Sequence, residues 1–479
     1  MLLAAADFHA LLGNVWTAVL VVLFFEGTIF VHELGHFVVA RRCGVKVERF
    51  AIGFGPAIWS RRGRDGVEYR LALIPFGGYV LLPQLADLGP SSGIALEGKS
   101  ELDAAKLPPV PYGSKMLIFV AGAAFQIVFA FALACVIWVI GQPESSLFAT
   151  TRIGYVVPTL EMPDGTKVPS PAAEAGLRSG DRVLAIDHQK VGDWNDLRDV
   201  LATSAGRDNE GQPRAVFTVE RDGQPRDITL LPRLAGADKF RQVGIAPAFP
   251  LAVAEVDPGS LAAKAGVKVG DEILQLDGVT MLNDVPFADA LVASRDRAVA
   301  LLVRRDGRET PLTIAARPAL KPTDDFGLAF SAGMHLTHPS PFAQLREPVV
   351  MIFRTLGSLL NPHSDIGLSK LSGPVGIAHM LSSGAEAGLS AVLALTILLN
   401  VNLAVLNLFP IPVLDGGQML FATIARLRGR ALPINFIVTA QSVFFVLIIS
   451  MFLYVTVFDV RRWHRDVQAD HDSQVQVQK

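Results

Sequence analysis

Apolar residues in this chain are gathered into four long runs, separated by stretches that alternate or are polar. The runs cover about Val15 to Ala40, Met116 to Ile140, Leu389 to Phe409 and Ile434 to Phe458. Crossing a bilayer as a helix takes roughly 20 predominantly apolar residues, and each run comes close to that length. The second and fourth carry no charged residue. The first differs, because it contains Glu26, His32, Glu33 and His36. Ionisable groups at membrane depth are costly and by default mark function. The pattern predicts a polytopic α-helical membrane protein with four transmembrane helices.

The long polar connection, roughly Phe148 to Asn361, holds an internal repeat. Ser170-Pro171-Ala172-Ala173 leads through Gly180-Asp181-Arg182-Val183-Leu184-Ala185-Ile186-Asp187, and Gly259-Ser260-Leu261-Ala262 leads through Gly270-Asp271-Glu272-Ile273-Leu274-Gln275-Leu276-Asp277. Each copy reads as a short helix, a glycine turn and an alternating strand. Each is followed by a further helix and a strand ending in Arg-Asp-Gly, at 221–223 and 305–307, which is a hairpin signal. A spacing near 90 residues suits two tandem small domains rather than a solenoid. The repeat resembles the PDZ domain in its circularly permuted form, an α+β unit that binds extended peptides along a sheet edge. The expected division is residues 1–147 (two membrane helices and their connecting β-loop), 148–236 and 237–320 (two PDZ-like domains), 321–386 (a connecting segment), 387–458 (two membrane helices) and 459–479 (a polar, unstructured tail). Within the connecting segment, Phe342, Leu345, Val349, Val350, Ile352, Phe353 and Leu356 predict an amphipathic helix from Pro341 to Leu360.

Composition agrees with a membrane setting. Hydrophobic residues make up 51% and charged residues 18%, against roughly 25% charged in ordinary soluble domains. A net charge of −2 gives no overall attraction to nucleic acid, and nucleic acid is not an expected partner. Cys43 and Cys135 form no CxxC pair, so neither a disulfide framework nor a thiolate metal site is indicated. No Lys or Arg precedes Arg41, whereas Arg41, Arg42, Lys46, Arg49, Arg61, Arg62, Arg64 and Arg70 follow the first run. Basic residues favour the cytoplasmic side. The first loop is therefore expected in the cytoplasm, the long connection outside, and no cleaved signal peptide at the start. Arg426, Arg428 and Arg430 agree with that orientation; Arg461, Arg462 and Arg465 in the tail oppose it.

The charged groups of the first run form His32-Glu33-Leu34-Gly35-His36. On a helix, residues four apart share a face, so both imidazoles reach one ion, and the adjacent Glu33 can hold a water beside it. A catalytic zinc usually takes three protein ligands and leaves one position open. The best third ligand is Asp415, in Asn407-Leu408-Phe409-Pro410-Ile411-Pro412-Val413-Leu414-Asp415-Gly416-Gly417. Pro410 and Pro412 break the third helix there, and Gly416 and Gly417 permit unusual backbone angles and close approach.

These two motifs, together with Gly53-Phe54-Gly55-Pro56, Ile74-Pro75-Phe76-Gly77-Gly78-Tyr79-Val80 and Ser372-Gly373-Pro374-Val375, resemble the site-2 proteases, intramembrane zinc metalloproteases. The resemblance covers most of the chain. It implies zinc held by His32, His36 and Asp415, with Glu33 as general base. It implies Asn402 and Asn407 near substrate. It also implies a membrane-associated β-hairpin in the cytoplasmic loop, aligning substrate along Tyr69, Leu71 and Leu73. The alternation from Val67 to Ile74 supports a strand independently. Implied substrates are single-pass membrane proteins such as an anti-sigma factor or a remnant signal peptide. The implied place is a bacterial inner membrane, with the PDZ-like units periplasmic and the active site near the cytoplasmic face. Two features depart from the family pattern: Gly122-Ala123-Ala124-Phe125-Gln126-Ile127 replaces a Gly-Pro-x-x-Asn-Phe stretch, with Gln126 in place of the asparagine, and Glu26 stands seven residues before Glu33. The competing class is a membrane-anchored PDZ scaffold without catalysis, which the presence of every expected catalytic residue disfavours.

Overall fold

The structure, a computed structural model, describes residues 23–88, 106–236, 238–316 and 327–477. Val15 to Val22 of the first apolar run lie outside the described residues. The chain divides into two compact units. One comprises Met1–Gln142, His338–Phe353 and Leu368–Lys479; the other comprises Pro143–Thr337 and Arg354–Gly367.

Among the described residues of the first unit, four helices are long and apolar enough to cross a membrane: Leu23–Arg42 (α1), Tyr112–Ile140 (α2), Leu389–Asn407 and the start of a longer helix from Ile434. Between the second and third lie Pro341–Leu360 (α3) and Pro374–Ala387 (α4), and the third span is α5. A further helix, Asp415–Arg428 (α6), lies between the third and fourth spans, and the last helix runs Ile434–Val477 (α7). Ala130, Ala134 and Ile137 of α2 meet Leu393, Ile397 and Val401 of α5, a stripe at helical spacing. Leu345 and Val349 of α3 pack on that cluster, as the amphipathic reading predicts. Other faces of the spans stay apolar and exposed, Val128 and Val139 for example, as lipid contact requires.

The tail expected to be unstructured is instead helical to Val477. No Gly or Pro interrupts the sequence after Pro433, so nothing forces the helix to stop. Asp459, within this helix, is buried and accepts hydrogen bonds from the Gly373 and Gly376 N–H groups, both at 2.9 Å, at the first turn of α4. A carboxylate at a helix N-terminus satisfies orphan donors and complements the helix dipole. The Ser372-Gly373-Pro374-Val375 motif is thus the docking point of α4 on α7.

The loop after α1 folds as two strands, Arg49–Arg62 (β1) and Glu68–Leu81 (β2). The pairing is more than a simple hairpin. Arg49–Ile52 pairs with Gly78–Leu81 on one side and Glu68–Leu71 on the other, and Trp59–Arg62 then pairs with the outer side of Glu68–Leu71. The ribbon bends back at Gly53, whose φ of +78° disfavours a side chain. Glu68 ties the layers together, accepting from Arg49 at 2.7 Å, Ser60 at 2.8 Å and Arg70 at 3.0 Å. Burial pushes its carboxyl up, but these donors outweigh it and bring the pKa down to about 2.

The second unit contains two sheet-rich modules with matching parts. The first has sheet order Gln224–Leu230, Ala215–Arg221, Arg182–Ile186, Gln189–Lys190. The second has a six-stranded sheet that includes Glu272–Leu276, Val299–Arg305 and Arg308–Ile314. Each contains, after its opening strand, a short helix capped by a serine, Ser170 accepting from the Ala173 N–H and Ser260 from the Ala263 N–H. The boundary expected at 236/237 falls inside the first module. Val243 belongs to its buried core, and Ile245–Pro247 pairs with Ile153–Val156. The second core spans Leu251 to Phe330, past the expected end at 320. Both shifts have one cause: a late strand returns to pair with the module's first strand, a long-range contact that local periodicity does not announce.

Candidate metal centre

α1 carries His32 and His36 one turn apart, and their Nε2 atoms approach to 3.0 Å. Asp415, the first residue of α6, places Oδ2 3.3 Å from each of them. One ligand atom from each of the three residues lies within 4.8 Å of the others. The structure therefore brings together the three residues that the sequence singles out as a ligand set.

Each imidazole is oriented from behind. His36 Nδ1 lies 2.7 Å from the Ile118 carbonyl, so it donates there and leaves Nε2 as a lone pair. His32 Nδ1 lies 3.3 Å from Gln126 Oε1, which asks for the same tautomer. Such outer hydrogen bonds fix metal-ligating histidines. Asp415 Oδ2 is fully buried without a hydrogen bond among the described residues. Two imidazole lone pairs and a carboxylate oxygen thus face one point. Three acceptors directed at one point and largely shielded from water repel one another unless a cation lies between them. Two nitrogens and one oxygen are a donor set that suits zinc.

The backbone permits this through close approach rather than unusual angles. A Cβ at Gly122 of α2 would stand 2.5 Å from His32 Cε1 and 2.6 Å from His36 Nε2, so only a bare backbone fits behind the imidazoles. After α5, Pro410 and Pro412 end the helix, and the chain doubles back into α6. A Cβ at Gly416 would be 2.3 Å from the Leu408 carbonyl oxygen, and one at Gly417 would be 2.1 Å from that of Ile411. Neither glycine has a positive φ among those recorded, which corrects the expectation of unusual angles there.

The Glu33 carboxylate lies by the Val80 N–H and within electrostatic reach of His32, His36 and Asp415. Its Cγ is 3.2 Å from the position a Gly78 Cβ would take, so the Gly78–Leu81 segment of β2 runs directly beside it. Tyr69 and Leu71 are placed differently from the expected substrate edge. Their segment is paired on both sides, so it has no free backbone edge there, and the Tyr69 hydroxyl donates to Asp65 at 2.9 Å. Leu73 is exposed.

Of the two asparagines, Asn407 reaches the centre, with Nδ2 3.5 Å from His32 Nδ1. Asn402 is five residues earlier, about 140° around the helix. Asn400 shares the Asn407 stripe. It is fully buried and donates to Thr28 Oγ1 of α1 at 3.1 Å. The sequence pointed to neither Asn400 nor Thr28 and marked Gly122 only as the start of a stretch departing from the family pattern; the seven-residue spacing from Asn407 was the available signal for Asn400. Glu26, two turns from Glu33, has both carboxylate oxygens shielded from solvent.

The profile of peptidase family M50 matches residues 19–451. Regulator of sigma E protease of Salmonella typhi is 31% identical over 450 residues, 88% of this chain and 92% of that protein. Regulator of sigma-E protease RseP of Escherichia coli (strain K12) is 32% identical over 430 residues, 84% of this chain and 88% of its own. Protease RseP of Yersinia pestis is 32% identical over 432 residues, 84% and 88% of the respective chains. With that extent of likeness around two histidines, a glutamate and an aspartate drawn to one point, the chain belongs to peptidase family M50, the site-2 proteases.

Proposed function

We propose that this chain is an intramembrane zinc endopeptidase that hydrolyses peptide bonds in or beside the membrane-spanning segments of single-pass proteins. The observation that carries the reading is the convergence of His32, His36 and Asp415 next to Glu33 on helices joined to candidate membrane spans. The relatives named regulator of sigma-E protease support a substrate that controls a sigma factor, an anti-sigma factor by class. Their bacterial origin supports an inner-membrane location.

In this reading His32, His36 and Asp415 hold zinc, which when bound polarises a carbonyl and lowers the pKa of water towards roughly 7. Glu33 takes the proton of the attacking water on its carboxylate and passes it to the leaving amine. The ring orientations set by Gln126 and Ile118 keep both Nε2 lone pairs directed inward. A helical substrate hides its amides, so cleavage requires local unwinding. Pairing the freed backbone with a strand edge offsets the cost of exposing its polar groups. The segment Gly78–Leu81 is suited to this, because one side pairs with Arg49–Ile52 while Val80 faces Glu33. Leu73 would add an apolar side-chain contact, and Asn407 a polar one beside the histidines. Asn402 is left as a contact further along α5. The two modules of the second unit act as PDZ-like domains outside the membrane. They exclude untrimmed substrates by size and are able to bind extended peptides.

The test is Glu33→Gln with a co-expressed single-pass substrate. Cleavage should cease while zinc content is kept. Asp415→Ala should lose the zinc. If cleavage continues in the Glu33→Gln protein with its zinc retained, the mechanism is wrong. If the unaltered protein itself leaves the substrate uncut, the membrane-anchored PDZ scaffold is the better description.

A further inference from the structure

Apart from the metal centre, the first unit contains a cavity of about 380 Å³ between the start of α2 and the end of α6. Its walls include Val110, Tyr112, Lys115, Arg426, Arg430 and Leu432. Three of these are cations, and no carboxylate lines the cavity among the described residues. The floor is apolar, with Val110, Ala422 and Leu432 buried.

The basic groups are held in place. The Arg426 guanidinium lies over the Tyr112 ring at 4.7 Å from its centre, and the Tyr112 hydroxyl bonds Thr423 Oγ1 at 3.0 Å. Gly429, with φ of +66°, ends α6 and turns the chain so that Arg430 returns to the same cavity as Arg426. Neither arginine has a carboxylate partner recorded among the described residues. The two arginines gathered around one cavity repel one another, so their arrangement costs free energy until an anion is bound. Arginine forks match phosphate oxygens in pairs.

Location narrows the anion. α2 begins at Tyr112 and α7 at Ile434, and both are candidate membrane spans. Where those spans cross a bilayer, their first turns, and the cavity beside them, fall at the level where acyl chains give way to head groups. A soluble phosphate would use the cations but leave the apolar floor unfilled, whereas a phospholipid fills both. Basic pockets between membrane helices are a recognised setting for anionic lipid head groups. We propose that this cavity binds the phosphate of an anionic phospholipid, with Arg426, Arg430 and Lys115 on the head group and the apolar floor against the start of an acyl chain. The inference does not depend on the protease reading.

The experiment measures lipid binding by the full chain, using native mass spectrometry and thermal unfolding in detergent. The probes are phosphatidylglycerol, phosphatidylcholine with the same acyl chains, and inorganic phosphate. Phosphatidylglycerol should bind more tightly than phosphatidylcholine. The double variant Arg426→Gln/Arg430→Gln should lose roughly fivefold in affinity per cation removed. Arg428→Gln removes the same charge from the same helix turn without lining the cavity, and should change little. If the glutamine variant does not fold, Arg426→Lys/Arg430→Lys keeps the charges and should retain the preference for phosphatidylglycerol. The proposal is overturned if Arg428→Gln weakens binding as much as the double variant does. It is equally overturned if the lysine variant binds both lipids alike, or if inorganic phosphate stabilises the protein as strongly as phosphatidylglycerol.

Discussion

At the scale of single residues, the metal centre depends as much on what is missing as on what is present. Gly122 presents only backbone to the two imidazoles, and a methyl there would collide with His32 and His36 at about 2.5 Å. Gly122→Ala should therefore lower metal affinity by roughly ten- to a hundredfold, with helix content unchanged. Competition with a chelator measures the first and circular dichroism the second. Glu68 makes a pH prediction. Its folded carboxyl titrates near 2, below the ordinary 4.5. The stability it contributes is complete above about pH 4.5 and is lost as pH falls towards 2. The protection factors of the β1–β2 amides, which are corrected for the intrinsic pH dependence of exchange, should fall through that window in the wild type, and Glu68→Gln should flatten the dependence.

At the scale of elements, the internal repeat has a mechanical meaning that the motifs alone do not state. The Gly-Asp and Arg-Asp-Gly signals read as two separate turns. In the fold they are joined. Arg221 grips Asp181 through two bonds of 2.7 Å, and Arg305 grips Asp271 through two more of 2.7 Å. Both carboxylates are almost completely buried. Removing the arginine leaves an unpaired buried charge. Arg305→Ala should lower the stability of the second module, because the buried Asp271 carboxylate loses its paired donor. A thermal melt of the whole chain, with hydrogen exchange to locate the loss at Val299–Ile314, measures this. The turns themselves were legible from sequence. Asp222-Gly223 and Asp306-Gly307 have positive φ at both positions, the geometry that tight hairpins favour. The pairing was not legible, because it links residues 40 and 34 positions apart.

At the scale of the whole molecule, the prediction concerns removal of metal. Each span satisfies its backbone hydrogen bonds internally and packs on apolar stripes such as that of α2 on α5. The spans do not need the ion in order to form. Treatment with a chelator should abolish cleavage while leaving far-ultraviolet circular dichroism within about a tenth of its starting value, and added zinc should restore activity. A collapse of helix content would instead make the ion a structural support.

The sequence by itself determined the helical spans, the modular repeat and the pairing of His32 with His36. These follow from periodicity and from spacing along one helix, both properties of neighbouring residues. Only the tertiary structure decided that Asp415 closes on those histidines from the far end of the chain. The same holds for Gln126 and Ile118 behind the rings, and for the burial of Asn400 against Thr28. It also decided that Gly78–Leu81, rather than the segment of Tyr69 and Leu71, lies beside Glu33. Each of these depends on how closely two backbones distant in sequence approach one another. That distance is set by packing across the bundle, and no local preference encodes it.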